Sequence, residues 1–286
     1  MDVGIGLPAT IAGVGRDQLL EWARRADARG FSSLGTIDRI VYGNYEPLIA
    51  LAAAAAVTER IRLATTILIA PYRSNGVLVA KQAASVDRLS NGRLVLGVAV
   101  GGREDDYTAS GVDFHARGRL FEQMLEQWQE VWAGNSFGTA GAIGPQPPHG
   151  RPTLIVGGTV DAAFERAARY GDGWIIGGGA PDQFGEGAAK ARAAWQAAGR
   201  DGAPRLMALG YFALGERAEQ AANSYLRDYY AFVGEYAGMV ADSAAKDAAT
   251  VKAYVQGFSE AGCDELILFP CDPDPGQVDL LADAVA

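Results

Sequence analysis

Three residue types that build common active sites are scarce in this 286-residue chain. Cysteine occurs only at Cys263 and Cys271, both near the C-terminus, which excludes a disulfide framework and a cysteine metal cage. Histidine occurs only at His115 and His149, too few nitrogens for a histidine-rich zinc or iron centre, so no metal is expected. Lysine is limited to Lys81, Lys190, Lys246 and Lys252, all in helical stretches. Schiff-base chemistry on a strand-end lysine is thereby disfavoured. Positive charge is also in deficit: 25 Lys and Arg against 34 Asp and Glu leave a net charge of -9. That balance lacks the basic footprint a phosphate backbone requires, so no nucleic-acid partner is expected. The alanine-rich run Ala50 to Val57 is too short to span a bilayer, and the N-terminus has no basic segment followed by an apolar one. No membrane association and a cytoplasmic location are the expectation.

What is abundant is apolar sequence, 49% of the chain, in a repeating order. Eight short apolar or β-branched runs stand between longer amphipathic stretches: Val3 to Leu7, Ser32 to Ile37, Ile61 to Ile69, Leu94 to Val100, Thr153 to Val156, Trp174 to Ile176, Leu206 to Leu214 and Glu265 to Phe269. The run from Leu94 to Val100 is continuously apolar, as a parallel strand buried on both faces should be. Between the runs, Leu19, Trp22, Ala23 and Ala26, and later Leu120, Phe121, Met124, Leu125, Trp128, Val131 and Trp132, fall at helical spacing and are core candidates. Eight alternations in a chain of this length predict a single α/β domain over 1–286, a closed parallel eight-stranded β/α (TIM) barrel. Two segments exceed that pattern. Gly134 to Arg151 is a Gly- and Pro-rich excursion, and Ala218 to Ala245 is a helical insertion after the seventh strand. The insertion carries Tyr225, Tyr229, Tyr230, Phe232 and Tyr236, and reads either as a lid over the mouth or as an aromatic packing or dimer face.

Barrel chemistry sits just after the strands. There the sequence places Pro8, Thr36 to Arg39, Ile67 to Arg73, Gly101 to Asp106, Gly157 to Thr159, Gly177 to Gly179 and Pro270 to Asp272. A strand ending in Gly157-Gly158 and opening a helix near Thr159 offers free backbone N–H groups to a phosphate; the alternative is a plain turn with Thr159 as helix cap. Asp38-Arg39 suits a ligand hydroxyl or ring and an anion respectively, or is a solvated surface pair. The acidic run Glu104-Asp105-Asp106 fits shifted carboxylates, a hydrated loop or a helix N-terminus.

Several stretches together resemble the luciferase-like monooxygenase family, including its flavin- and deazaflavin-dependent oxidoreductases. They are GFSSLGTIDR around Asp38, RIRLATTILIAPYRSNGVLVAKQAASVDRLSNGRLVLGV, LGVAVGGREDDYTASGVDFHARGRLFE, and PTLIVGGTVDAAFERAARYGDGWI. The resemblance implies a barrel with a flavin or deazaflavin ring across the strand ends and a non-prolyl cis peptide at Thr66-Ile67 beside it. It implies a phosphate at Gly157, Gly158 and Thr159, a cofactor contact at Asp38, and Asp105 near the ring. Arg39, Tyr72 and Tyr107 are the substrate-side candidates, and Asp38 and Tyr107 the weak catalytic ones. The chain departs from the family in having Arg39 where many relatives have histidine, and Gly102 where many have tryptophan. His115 is expected in an exposed turn.

The implied reaction is hydride transfer between reduced coenzyme F-420, a deazaflavin, and a small or medium organic substrate. Compact length, the Asp38 position and the LGVAVGGRED motif resemble that branch. FMN, for simple reduction or for monooxygenation, is the alternative, and a non-catalytic scaffold subunit a further one. A sugar or aldol enzyme on the same fold would need the strand-end lysine that is missing. A homodimer is expected from the resemblance.

Overall fold

In the computed structural model, which describes residues 1–286, the eight apolar runs pair in chain order and the last closes on the first. The strands are β1 (Asp2–Gly6), β2 (Ser33–Thr36), β3 (Arg62–Ile69), β4 (Leu94–Ala99), β5 (Thr153–Gly157), β6 (Gly173–Ile176), β7 (Arg205–Phe212) and β8 (Glu265–Pro270). Every pairing is parallel, including β1 with β8. Each expected run contains a strand, with ends shifted by one or two residues. Ile37, Val100 and Ala213-Leu214 lie beyond their strands because apolar sequence continues past the last ladder hydrogen bond into the packed mouth.

The outer layer consists of α1 (Arg16–Ala28), α2 (Pro47–Ala55), α3 (Gly76–Leu89), α4 (Glu104–Ala109), α5 (Arg117–Trp132), α6 (Asp161–Tyr170), α7 (Pro181–Ala197), α8 (Ala218–Tyr229), α9 (Tyr236–Asp242), α10 (Ala248–Glu260) and α11 (Gly276–Val285). The apolar stripes read from the sequence face the strands: Leu19, Trp22, Ala23 and Ala26 of α1 are buried, as are Phe121, Met124, Leu125, Trp128, Val131 and Trp132 of α5. Leu120 is only half-buried, at the rim of its stripe. The two α5 indoles also satisfy backbone carbonyls of α3, Trp128 Nε1 to Gly76 at 2.8 Å and Trp132 Nε1 to Ala80 at 3.1 Å. Such pairing removes the penalty of burying an indole N–H. None of the helices is long and apolar enough to cross a membrane.

A second core fills the barrel lumen, where Ala64, Val95, Ile155, Ile175, Met207 and Ile267 point inward from the six successive strands β3 to β8. Near the mouth the ring of Phe269 leans across to β1. It fits because position 6 is glycine; a Cβ there would lie 2.2 Å from the ring. At the opposite end Glu265, completely buried, pairs with Arg205 at 2.5 Å and Arg62 at 3.3 Å and closes the barrel floor.

The excursion after α5 holds one short 3-10 turn (Gly138–Ala140) and an isolated antiparallel bridge between Ser136 and Ala142. The insertion after β7 is helical as expected: α8, a 3-10 turn (Ala231–Val233) and α9. The chain then returns to β7, where Ala245 donates its N–H to the Tyr211 carbonyl and accepts the N–H of Ala213. The insertion is thereby tied at both ends to one strand and held over the C-terminal mouth.

Candidate active site

The β2 strand ends at Thr36, and the chain turns so that Asp38 sinks into the mouth, only 4% exposed. One carboxylate oxygen accepts the Ile69 N–H at 2.8 Å, and the Arg73 guanidinium stands 3.1 Å away, itself paired with Glu46 at 2.7 Å. Burial pushes the Asp38 carboxyl up to about 6, against the opposing pull of Arg73. Beside it the Tyr72 hydroxyl is buried without a hydrogen-bond partner. Burial, and next the Asp38 charge, raise that phenol far above its ordinary range, so Tyr72 stays protonated. The peptide between Thr66 and Ile67 is cis, as the resemblance implied, and the β3–β4 register shifts between Thr65 and Leu68.

After β4 the glycines at 101 and 102 lead into α4, whose first turn is the acidic run Glu104-Asp105-Asp106. The three carboxylates do different work. Asp106 is buried and accepts the Ile40 and Val41 N–H groups at 3.0 and 2.7 Å, fixing the loop that follows Asp38. Asp105 pairs with Arg39 at 3.0 Å. The solvated-pair reading of Asp38-Arg39 is overturned, because both side chains are buried under the insertion. Arg39 donates to the Tyr229 carbonyl at 3.3 Å and lies over the rings of Tyr42 and Tyr229. Neither Arg39 nor Asp105 lines the cavity at the mouth; their neighbours Arg103 and Asp106 do. Tyr107 is fully buried, lines the cavity, packs edge-on against Tyr72, and gives its hydroxyl proton to the Val100 carbonyl at 2.6 Å.

The insertion supplies the remaining wall. Tyr230 lies against Tyr211 of β7, their hydroxyls 2.8 Å apart, and Tyr225 meets Thr10 at 2.5 Å. Of the two readings of its aromatic residues, the structure favours a lid, since Tyr229 and Tyr230 both line the mouth cavity.

Two cavities meet beneath this lid. The smaller, about 200 Å³, is bounded by Asp38, Tyr72, Arg103 and Tyr107 over an apolar floor of Ile67, Ile69 and Leu209. The larger, about 710 Å³, runs outward past Thr159, the Gly177-Gly178-Gly179 turn and α7. They share Gly177, Leu209, Tyr211 and Tyr230 in their linings, so the two lie side by side, with Asp38 bounding one and Thr159 the other. Gly157 and Gly158 make the turn between these regions. A Cβ on Gly157 would stand 2.6 Å from the Ile67 side chain, and Gly158 adopts φ +135. Helix α6 starts at Asp161 with Val160 as its cap, two residues later than the sequence suggested, because Gly158 and Thr159 complete the turn first. Thr159 is therefore not the helix cap, and its side chain is left beside the larger cavity.

This arrangement fits a flavin-type cofactor. The narrow chamber has the apolar floor a planar ring system requires, an orphan phenol for its polar edge and, beside it, a glycine-lined chamber large enough for a polar tail. Sequence reasoning found the strand ends but missed Arg103, Asp106, Tyr211 and Tyr230 as lining residues. Arg103 and Asp106 were legible as part of a strand end, whereas the pairing of Tyr211 with Tyr230 depends on how the insertion folds back. His115 is exposed in a 3-10 turn, as expected.

Comparison with known proteins agrees with the geometry. Uncharacterized proteins of Mycobacterium tuberculosis are 34% identical over 57% of this chain, which covers only 61–66% of their lengths. An F-420-dependent glucose-6-phosphate dehydrogenase of Amycolatopsis mediterranei is 29% identical over 60% of this chain and 56% of its own. An FMNH(2)-dependent dimethylsulfone monooxygenase of Pseudomonas fluorescens is 28% identical over 57% and 49%. The fold of an F-420-dependent secondary alcohol dehydrogenase superposes with a TM-score of 0.81 at 18% identity, covering 100% of this chain and 99% of that one. The sequence pattern of the luciferase-like monooxygenase family matches residues 1–262, and the chain belongs to that family.

Proposed function

We propose that this protein is an oxidoreductase that moves a hydride between coenzyme F-420 and a small or medium organic substrate carrying a hydroxyl or carbonyl group, with residues 1–286 acting as one catalytic unit. The observation that carries the reading is the placement of Asp38, a buried carboxyl with a pKa near 6, on an apolar cavity that adjoins a glycine-lined chamber.

The deazaflavin ring, when bound, takes up or releases the hydride. The chain's residues handle everything else. Ile67, Ile69 and Leu209 would support a flat ring, and Thr159 and the Gly177–Gly179 turn would make room for its phosphate-bearing tail, with the Gly157-Gly158 turn setting the position of Thr159. Tyr229 and Tyr230 exclude water from above. In the oxidising direction the substrate's C–H electrons leave with the hydride, its hydroxyl proton passes to the Asp38 carboxylate, and a carbonyl forms. Reduction runs through the same groups in reverse, with Asp38 donating. Arg73 and the Ile69 N–H hold the carboxylate in place. Tyr72 contributes a hydrogen bond but no proton, since burial keeps its phenol intact.

An FMN-dependent reductase or monooxygenase is the second reading, supported by the nearly equal identity to the Pseudomonas monooxygenase. The test is to supply oxidised F-420 with a panel of alcohols, follow loss of deazaflavin absorbance, and compare the wild type with Asp38→Asn. Alcohol-dependent loss that falls by about a hundredfold or more in the variant is the expected result for a missing general base. Loss of absorbance with no substrate in the panel, alongside oxygen consumption with reduced FMN, would favour the second reading.

A further inference from the structure

One cation in the small cavity lacks a counter-ion. Arg39, Arg73 and Arg103 all project into the mouth region. Arg39 is matched by Asp105 and Arg73 by both Asp38 and Glu46. Arg103 lines the cavity, and no carboxylate pairs with it. Its single hydrogen bond, to the Tyr229 carbonyl, is long at 3.5 Å. The guanidinium instead lies over aromatic rings, its Cζ 3.8 Å from the Phe232 centroid and 4.7 Å from that of Tyr229.

Ring stacking positions a guanidinium face-on while leaving its in-plane N–H donors free, and those donors form the fork that matches a planar or tetrahedral oxyanion. Of the two carboxylates in the lining, Asp106 is already committed to the Ile40 and Val41 N–H groups and Asp38 to Arg73. In a chain of net charge -9, a stacked and unpaired arginine in a cavity floored by isoleucine and leucine is a local positive site on a negative molecule.

We propose that Arg103 is a specificity residue that receives an oxyanion, a carboxylate or phosphoryl group, carried by the substrate. The inference rests on the reading above that the small cavity is the reacting end of the site. An acidic group on the cofactor tail has the same chemistry, but the tail's path leads past Thr159 and Gly178, on the side of the larger cavity. Arg103 does not line that cavity. Stacking on Phe232 and Tyr229 also couples recognition to the lid: an anion that draws the guanidinium inward acts on the segment that carries both rings.

The experiment uses the full chain and benzoate against its neutral isostere benzamide, each titrated by calorimetry into cofactor-free and F-420-loaded protein. Benzoate is expected to bind at least about tenfold tighter than benzamide in wild type, as a charge-assisted fork requires. Arg103→Met should abolish that preference and Arg103→Lys should restore part of it, with F-420 affinity unchanged in both. Equal binding of the two probes to wild type, or a preference that survives in Arg103→Met, would overturn the proposal. So would an F-420 affinity that falls in Arg103→Met while affinity for the deazaflavin lacking phosphate and tail does not, because the anion would then be the cofactor's. The probe comparison in cofactor-free protein is read independently of whether F-420 binds, so failure of the cofactor assignment and failure of this proposal are distinguishable.

Discussion

Asp38 is held as an anion only against the cost of its burial, which Arg73 and the Ile69 N–H offset in part. Its folded-state pKa of about 6 lies above the ordinary carboxylate value of 3.8, so between these values the folded chain binds the extra proton. Stability from this group therefore rises as pH falls through about 6, and is lost as pH rises. Denaturant unfolding of wild type and Asp38→Asn should show the wild type gaining about 1 kcal/mol relative to the variant when pH is lowered from about 8 to about 5. A pH-independent difference would mean that the carboxyl titrates normally. The same group should give the activity profile a limb near pH 6 that vanishes in the asparagine variant. At the glycine turn, alanine at position 158 must adopt φ +135 and would bring its Cβ to 2.8 Å from that of Ala163. Gly158→Ala should lower stability by about 1–3 kcal/mol and weaken cofactor binding, measured by thermal unfolding and titration. The placement of Asp38 at the mouth was legible from its position after a strand. Its burial was not, because that depends on Arg73 and on a lid nearly two hundred residues away in sequence.

Among the elements, the strands were the most legible. A parallel strand covered on both faces reads as a continuous apolar run, so the sequence signal and the physical cause coincide fully in β4, and in β8 after its first residue, Glu265. The α8–α9 insertion was legible as helix, while its sequence left a lid and an aromatic packing or dimer face as open alternatives. Its docking relies on contacts that leave no local pattern: Arg39 against Tyr229, Arg103 against Phe232, and Tyr230 against Tyr211. Position of the α6 start was also misread, since Thr159 is a good cap residue in composition but the turn at Gly158 postpones the helix to Asp161. Because Arg39 joins α4 to the end of α8, Arg39→Ala should loosen the lid without unfolding the barrel. Hydrogen exchange in residues 218–242 should accelerate by the equivalent of about 1–2 kcal/mol while the strand amides keep their protection. Uniform acceleration across the barrel would place Arg39 in the global core instead.

At the scale of the molecule, the closed sheet separates two ends with different tasks. The floor is a stability device. Glu265 is fully buried between Arg62 and Arg205, so Glu265→Ala takes the main partner from Arg205 and leaves Arg62 with Asp2 alone, and should cost about 2 kcal/mol in denaturant unfolding with little change in cofactor affinity. The mouth gathers a buried phenol, a carboxyl raised to about 6 and a guanidinium without a carboxylate partner, a set of polar groups that is costly to bury. Closure of eight strands was readable from their number and length, and the mouth from the rule that barrel sites follow the strands. The adjacency of the two cavities was not readable, since it is set by where the insertion lies. The most direct test of the account is equilibrium titration of the purified protein with F-420 and, separately, with FMN, followed by cofactor fluorescence. One-to-one binding of F-420 at least about tenfold tighter than FMN is the expected result. Tighter binding of FMN would contradict the deazaflavin assignment, and binding of neither would contradict the reading of the adjacent cavities as a cofactor site.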